Sequence, residues 1–218
     1  MTTTQAIIDA KAFVGHPKNQ SNPKTREYRL GVHEGVVIFN PEVIQTQVAT
    51  AKKTFQEMKK LNKEILIICE KELFKDQVAV LAENAGIHYL NHKVPAGVLT
   101  NFDTLLLRIR NLQDMRSFVG SESFKTLTKK EQSMKTRALK KVEQVYKGVV
   151  NLRKRPELVI IVDGQLMSKF VDEVEELGLQ NIILASSNYK RWSGSHVVPC
   201  NTNSVTSLTC ILEEILQK

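Results

Sequence analysis

The sequence predicts an α/β protein: a mostly parallel sheet with helices on both faces, interrupted by an inserted antiparallel helical hairpin. Three observations carry that expectation. Short β-branched runs alternate with helical patterns in the order β-α-β-α-β, pause over a long segment and resume as β-α-β-α, the pattern of a parallel sheet built with right-handed crossovers. The runs are continuously apolar, as strands buried on both faces are. The long segment holds two amphipathic stretches separated by Gly120-Ser121-Glu122-Ser123, which reads as two helices folding back on each other.

Gly35 to Phe39 reads as the first strand. Asn40-Pro41 then supplies an N-cap and a proline at the first helical position, opening a helix to about Leu61 with Val43, Ile44, Val48, Ala51, Phe55 and Met58 at helical spacing. Ile65 to Cys69 is a strand, followed by a helix from about Leu73 to Asn84 that Gly86 ends, and Ile87 to Leu90 is the next strand. Thr100-Asn101-Phe102-Asp103 reads as a capping-box start for the first inserted helix, with Phe102, Leu105, Leu106, Ile109 and Leu112 on one stripe to about Phe118. Thr128-Lys129-Lys130-Glu131 starts the second, carrying Met134, Ala138, Val142, Val145, Val149 and Leu152, and Pro156 ends it. Leu158 to Val162, Ile182 to Ala185 and Val197 to Val198 are the later strands, with helices from about Ser168 to Leu177, ended by Gly178, and from about Ser204 to Leu216. One domain over 1–218 is expected, with an extended basic segment at 1–34, the α/β body at 35–100 and 156–218, and the inserted hairpin at 101–155.

The 218 residues are enough for one full core. With 42% hydrophobic and 25% charged residues, 10 Gly and 6 Pro, the composition excludes a disordered tail or a collagen. No apolar run approaches the roughly 18 residues of a membrane span, so no membrane partner is expected. Cys69, Cys200 and Cys210 are odd in number and lack C-x-x-C spacing, which argues against a disulfide framework or a zinc ribbon and for a reducing compartment. Met1 to Ala12 has neither an apolar signal core nor a transit-peptide composition, so synthesis and use in one compartment are expected.

The net charge of +8 is unevenly placed. Between Lys125 and Arg155 lie eleven basic residues (Lys125, Lys129, Lys130, Lys135, Arg137, Lys140, Lys141, Lys147, Arg153, Lys154 and Arg155) against Glu131 and Glu143. From Glu157 onward eight acids outnumber four basic residues. Solvated helix faces usually interleave acids; their scarcity here favours a polyanion, nucleic acid above all.

The carboxyl ends of parallel strands are where ligands bind in open α/β sheets. Here they offer Glu70, Asn91, His92, Asp163, Ser186, Ser187 and Asn188. Neither G-x-G-x-x-G nor G-x-x-x-x-G-K-[ST] is present. Asp163-Gly164 suits a metal or acid–base role, but an aspartate there is more commonly a cap or turn residue. His88 and His92 are four apart in a segment that reads as strand, so the two rings share no helical face. Cys69 reads as a core residue. No cofactor and no metal are expected. Lys11 to Arg29, with Gly15-His16-Pro17-Lys18 and Ser21-Asn22-Pro23-Lys24, is a long polar stretch with five basic residues and one acid, read either as a second basic surface or as a mobile tail.

Specific strings then point to a family. Phe13-Val14-Gly15-His16 with Asn22-Pro23-Lys24, Asn91-His92-Lys93 with Gly97-Val98-Leu99-Thr100-Asn101-Phe102, Phe124 to Glu131, and Arg137 to Glu143 occur in an order that resembles the S-two family of small ribosomal subunit proteins, bacterial type, over about Ala10 to Leu216. The resemblance implies a flavodoxin-like three-layer body with a protruding coiled-coil hairpin. It implies a structural, non-catalytic constituent of the small subunit, binding 16S-type rRNA on the solvent side at the head–body junction and supporting translation. Implied partners are small-subunit rRNA, neighbouring small-subunit proteins and, as a further candidate, the large mRNA-binding ribosomal protein. The expected location is the cytoplasmic ribosome of a bacterium, with a mitochondrial or plastid ribosome as the alternative. Charge and resemblance together mark His16, Lys18, Asn22, Lys24, Arg26, Asn91, His92, Lys93, Thr100, Asn101, Lys129, Lys130, Arg137, Lys140, Lys141, Arg153, Lys154 and Arg155 as RNA-facing. The chain departs from the family pattern at Val94-Pro95-Ala96-Gly97, at Ser186-Ser187-Asn188 where an aspartate is usual, and at Lys218, where it ends without an acidic extension. Two rival readings stand beside this one: a flavodoxin-like enzyme or phosphoacceptor using Asp163, and a coiled-coil adaptor whose apolar stripe pairs with a partner helix.

Overall fold

The computed structural model describes residues 4–95, 97–192 and 196–217; Met1 to Thr3, Ala96 of the Val94–Gly97 string, and Lys218 lie outside them. In chain order the elements are α1 (Thr4–Asp9), β1 (Val14–Pro17), β2 (Arg29–His33), β3 (Val36–Phe39), α2 (Pro41–Lys60), β4 (Ile65–Ile68), α3 (Lys75–Ala85), β5 (His88–Leu90), α4 (Phe102–Val119), α5 (Glu122–Lys125), α6 (Lys129–Tyr146), β6 (Leu158–Val162), α7 (Ser168–Glu176), β7 (Gln180–Ala185), β8 (His196–Pro199) and α8 (Val205–Leu216).

Five strands form a wholly parallel sheet in the order β5-β4-β6-β7-β8. This is the flavodoxin-like order, with its switch point between β4 and β6. Because β4→β5 runs outward one way and β6→β7→β8 the other, right-handed crossovers put α3 and α7 on opposite faces. Helix α3 packs on α8, α8 on α2, and α1 on both α2 and α8, so these four make one layer and α7 belongs to the other. The central strands β4 and β6 are buried at every position, and one apolar cluster runs from Ile7 through the sheet to Leu216. Three helix ends follow their expected signals. Asn40 Oδ1 accepts from Glu42 N, Gly86 takes a left-handed φ of 65°, and Thr128 and Glu131 form a complete capping box.

Several expectations are corrected. Val36–Phe39 does not join the parallel sheet; it is the middle strand of a separate antiparallel sheet, β1-β3-β2. The flanking strands come from the stretch read as loop, along with two 3-10 turns, Lys18–Gln20 and Pro23–Tyr28. Asn101 precedes α4 but makes no capping bond; its Oδ1 accepts from the Thr104 hydroxyl at 2.8 Å. The expected turn at 120–123 runs into the short helix α5. In α6 the buried position is Leu139, whereas Met134 is 58% exposed and Ala138 is also exposed.

Helices α4 and α6 run antiparallel. As the position on α4 advances through Gln113, Arg116 and Phe118, its partner recedes through Val150, Glu143 and Lys135. Phe102, Leu105 and Ile109 of α4 belong to the main core, while Leu112 and Leu139 are buried outside it. Phe118 and Phe124 meet edge to face at 6.1 Å near the turn.

Candidate nucleic-acid interface

The N-terminal segment lies across the carboxyl ends of the later strands. His16 N donates to Ser187 Oγ at 2.8 Å, His16 Nδ1 lies 2.7 Å from Ser186 Oγ, and Asn203 Nδ2 is 3.3 Å from His16 Nε2. With the Asn203 amide as donor, Nε2 is the acceptor and Nδ1–H donates to Ser186, the neutral tautomer. Gly15 allows this approach, since a Cβ there would fall 2.9 Å from Ser187 Oγ. Asn22 N donates to Ser187 O at 2.7 Å, and the Asn22 side chain caps the following turn through Lys24 N. His16 and Asn22 are therefore half-buried anchors, and Ser186 and Ser187 are their hydrogen-bond partners. Arg29 is also committed internally, to Thr25 Oγ1 and Asn22 O, both at 2.6 Å. Tyr28 packs on Trp192 with ring centroids 4.7 Å apart.

The switch point is bridged from within. Lys71 Nζ donates to Asp163 Oδ2 at 2.5 Å and to Asn203 Oδ1 at 3.0 Å, and Asp163 Oδ1 accepts from Leu166 N at 3.2 Å. Asp163 takes a left-handed φ of 67° and is 7% exposed. Both of its oxygens serve the turn and the lysine. Burial holds the His16 imidazole below its ordinary pKa; the nearby Asp163 carboxylate opposes that shift and the Lys71 charge adds to it. Burial also pushes the Cys69 thiol up to about 11, as befits a core residue. Among the described residues, no three His, Cys, Asp or Glu side chains gather as metal ligands, and no helix is long and apolar enough to cross a membrane.

Thr100 and Asn101 shape a second loop. The buried Glu173 carboxylate of α7 accepts from Gly97 N, Leu99 N, Thr100 N and the Thr100 hydroxyl at 2.5–3.2 Å. Sequence reasoning missed Glu173, because a glutamate on an amphipathic helix reads as solvated. Lys93 is exposed and lines a cleft of about 580 Å³ beside this loop with Glu70, Lys169 and Glu176.

The eleven basic residues of 125–155 are all exposed. Lys125 pairs with Glu122 at 2.6 Å, Lys147 with Glu83 at 3.7 Å, and Lys135 lies 5.4 Å from the Phe118 ring centroid. Among the described residues, Lys129, Lys130, Arg137, Lys140, Lys141, Arg153, Lys154 and Arg155 form no ion pair. On α6, at about 100° per residue, Lys130, Arg137 and Lys141 fall opposite Leu139 and form one outward stripe. Asn91 and His92, from the loop after β5, meet α6 in a cleft of about 380 Å³ shared with Lys140, Lys147, Gln144 and Asp76. The Asn91 amide donates to Lys75 O at 2.9 Å, which ties that loop to α3. Lys18, Lys24 and Arg26 are exposed on the N-terminal segment.

The fold and these surfaces define a class: a flavodoxin-like α/β protein whose later strands are covered at their carboxyl ends by its own N-terminal segment and whose charge is displayed on an antiparallel helix pair. The chain belongs to the ribosomal protein S2 family, whose model, described as Ribosomal protein S2, matches residues 7–218. It is similar to the small ribosomal subunit protein uS2 of Amoebophilus asiaticus, 28% identical over 98% of this chain and 68% of the relative. The uS2 proteins of Francisella tularensis subsp. holarctica (26% identical, 98% of this chain and 90% of the relative) and Corynebacterium kroppenstedtii (27%, 95% and 73%) are similar as well.

Proposed function

We propose that this protein is a structural, non-catalytic constituent of the small ribosomal subunit that supports translation by binding 16S-type rRNA at the head–body junction on the solvent side. The observation that carries the reading is the set of eight exposed cations between Lys129 and Arg155, on and beyond α6, that form no ion pair among the described residues, in a chain of the ribosomal protein S2 family. Unpaired lysines and arginines on a packed helix pair neutralise phosphates and release counterions, and the rigid body fixes where they lie. A-form grooves hide base edges, so contacts to phosphate and 2′-hydroxyl groups carry most of the affinity. Lys18, Lys24, Arg26 and Lys93 extend the cationic surface, and Asn91 and His92 stand beside Lys140. His16, Asn22, Thr100 and Asn101 act through the backbone shape they hold. Neighbouring small-subunit proteins and the large mRNA-binding ribosomal protein are the protein partners in this reading, and the cytoplasmic ribosome is its location. Asp163 serves as a structural residue.

Co-sedimentation tests it. The chain is expected to travel with small subunits at low salt and to leave them at high salt. A chain found only free in the soluble fraction contradicts the reading.

A further inference from the structure

The cleft between α3, the loop after β5 and α6 is more than a patch of positive charge. Lys140, Lys147, His92 and Gln144 bring hydrogen-bond donors to its wall. Asp76, exposed in the first turn of α3, brings a carboxylate to the same cleft, and the second carboxylate of its lining, Glu143 of α6, is neutralised by Arg116, whose Nε donates to Glu143 Oε1 at 2.7 Å. The Asn91 amide nitrogen is occupied by Lys75 O, which leaves its Oδ1 as a second acceptor. Tyr89 forms part of the lining; it is 4% exposed and its hydroxyl is held by Glu83 at 2.7 Å.

A phosphodiester carries acceptors only. It can use Lys140 and Lys147, but a carboxylate beside it is repulsive. A group that uses both sides of this cleft must present phosphate at one end and hydrogen-bond donors at the other, which describes a nucleotide turned out of its stack. The cavity, about 380 Å³, falls in the size range of small-ligand sites, about 300–1,000 Å³. Among the bases, guanine alone offers two adjacent donors, N1–H and the N2 amino group, to match the two oxygens of one carboxylate.

Resting on the rRNA-binding reading above, we infer that this cleft receives one extruded guanosine nucleotide of the bound RNA, with Asp76 reading the base edge and Lys140 and Lys147 holding the phosphate. The surface is then not uniformly blind to sequence: one position is read while the remaining cations read only the backbone.

The test uses the full-length chain and two probes. In amide NMR titrations with GMP, AMP, CMP and UMP, GMP is expected to shift the signals of Asp76, Ala79, Asn91 and His92 and to bind at least tenfold more tightly than the other three. Asp76→Asn, exposed and checked by an unchanged thermal midpoint, is expected to bring GMP to within about twofold of AMP, whereas Lys140→Ala weakens all four alike. Equal response to the four nucleotides, or an Asp76→Asn variant that keeps the guanine preference, overturns the inference. Binding of an in vitro transcribed small-subunit rRNA separates the two readings. If the transcript binds with its full salt dependence while GMP is silent, only the cleft assignment fails; if the transcript does not bind, the functional reading fails and takes this one with it.

Discussion

Replacing Lys130, Arg137 and Lys141 together by alanine isolates the electrostatic contribution of α6. The three lie on its outward stripe, are exposed and form no ion pair among the described residues, so each change costs folding no more than about 0.5 kcal/mol. Their effect on RNA is much larger. Each phosphate contact contributes about 0.7 to 0.9 to the slope of log K against log salt, the lower value for single strands and the higher for duplex. Losing three contacts therefore makes the slope shallower by about 2 to 3. At 0.1 M salt the same arithmetic lowers affinity about 100- to 500-fold. Filter binding of the full chain to a transcribed small-subunit rRNA, over a series of KCl concentrations, reads both numbers in one experiment. An unchanged slope in a triple variant with an unchanged thermal midpoint would refute the assignment of these residues to phosphate contacts.

Three further outcomes follow from the packing. The neutral His16 ring is the folded form because burial lowers its pKa, so the unfolded chain binds the extra proton; the stability this clamp contributes is complete above about pH 6.5 and is lost as pH falls through and below that value. Acidification from pH 7.5 to 5.5 should shift Trp192 emission, through Tyr28 stacked on it, and lower the thermal midpoint, and both responses should shrink in His16→Asn. Glu173→Ala removes the shared acceptor of three backbone N–H groups and should cost about 3 kcal/mol, read as a lower urea midpoint at unchanged m value, with Glu173→Gln costing less. Leu139→Ala should cost about 2–3 kcal/mol, while Met134→Ala should stay within about 0.5 kcal/mol; the reverse ranking would put the apolar stripe of α6 back on Met134.

The parallel sheet was legible because its strands are buried on both faces. Ile65–Ile68 and Leu158–Val162 are apolar at every position and are set off by helices with clear caps, Asn40-Pro41 before and Gly86 and Gly178 after. Val36–Phe39 carries the same composition, yet its burial alternates, and an all-apolar strand gives no sign of which sheet it joins. Its partners were hidden for a different reason: Arg29–His33 is mostly exposed and broken by Gly31, and its pairing depends on contacts that local periodicity does not encode. On α6 two apolar stripes overlap, Met134-Ala138-Val142-Val145 and Leu139-Val142-Tyr146, and only the facing residues of α4 select the second. The site divides along similar lines. The cationic set was visible as charge, but the meeting of Asn91 and His92 with Lys140 required the chain to bring residues 49 and 48 positions apart to one cleft. Asp76 and Gln144 had no sequence signal beyond their positions on amphipathic helices. His16 and Asn22, marked by resemblance as RNA-facing, carry clear structural duties, because a residue that shapes a loop is patterned as strongly as one that touches a ligand.

The most direct measurement is a density map of the native small ribosomal subunit containing this chain, read at Lys130, Arg137, Lys141, Arg153, Lys154 and Arg155. rRNA phosphates or ribose hydroxyls are expected within hydrogen-bonding distance of most of these side chains. Side chains facing open solvent, with no sugar-phosphate strand alongside α6, contradict the rRNA-binding reading.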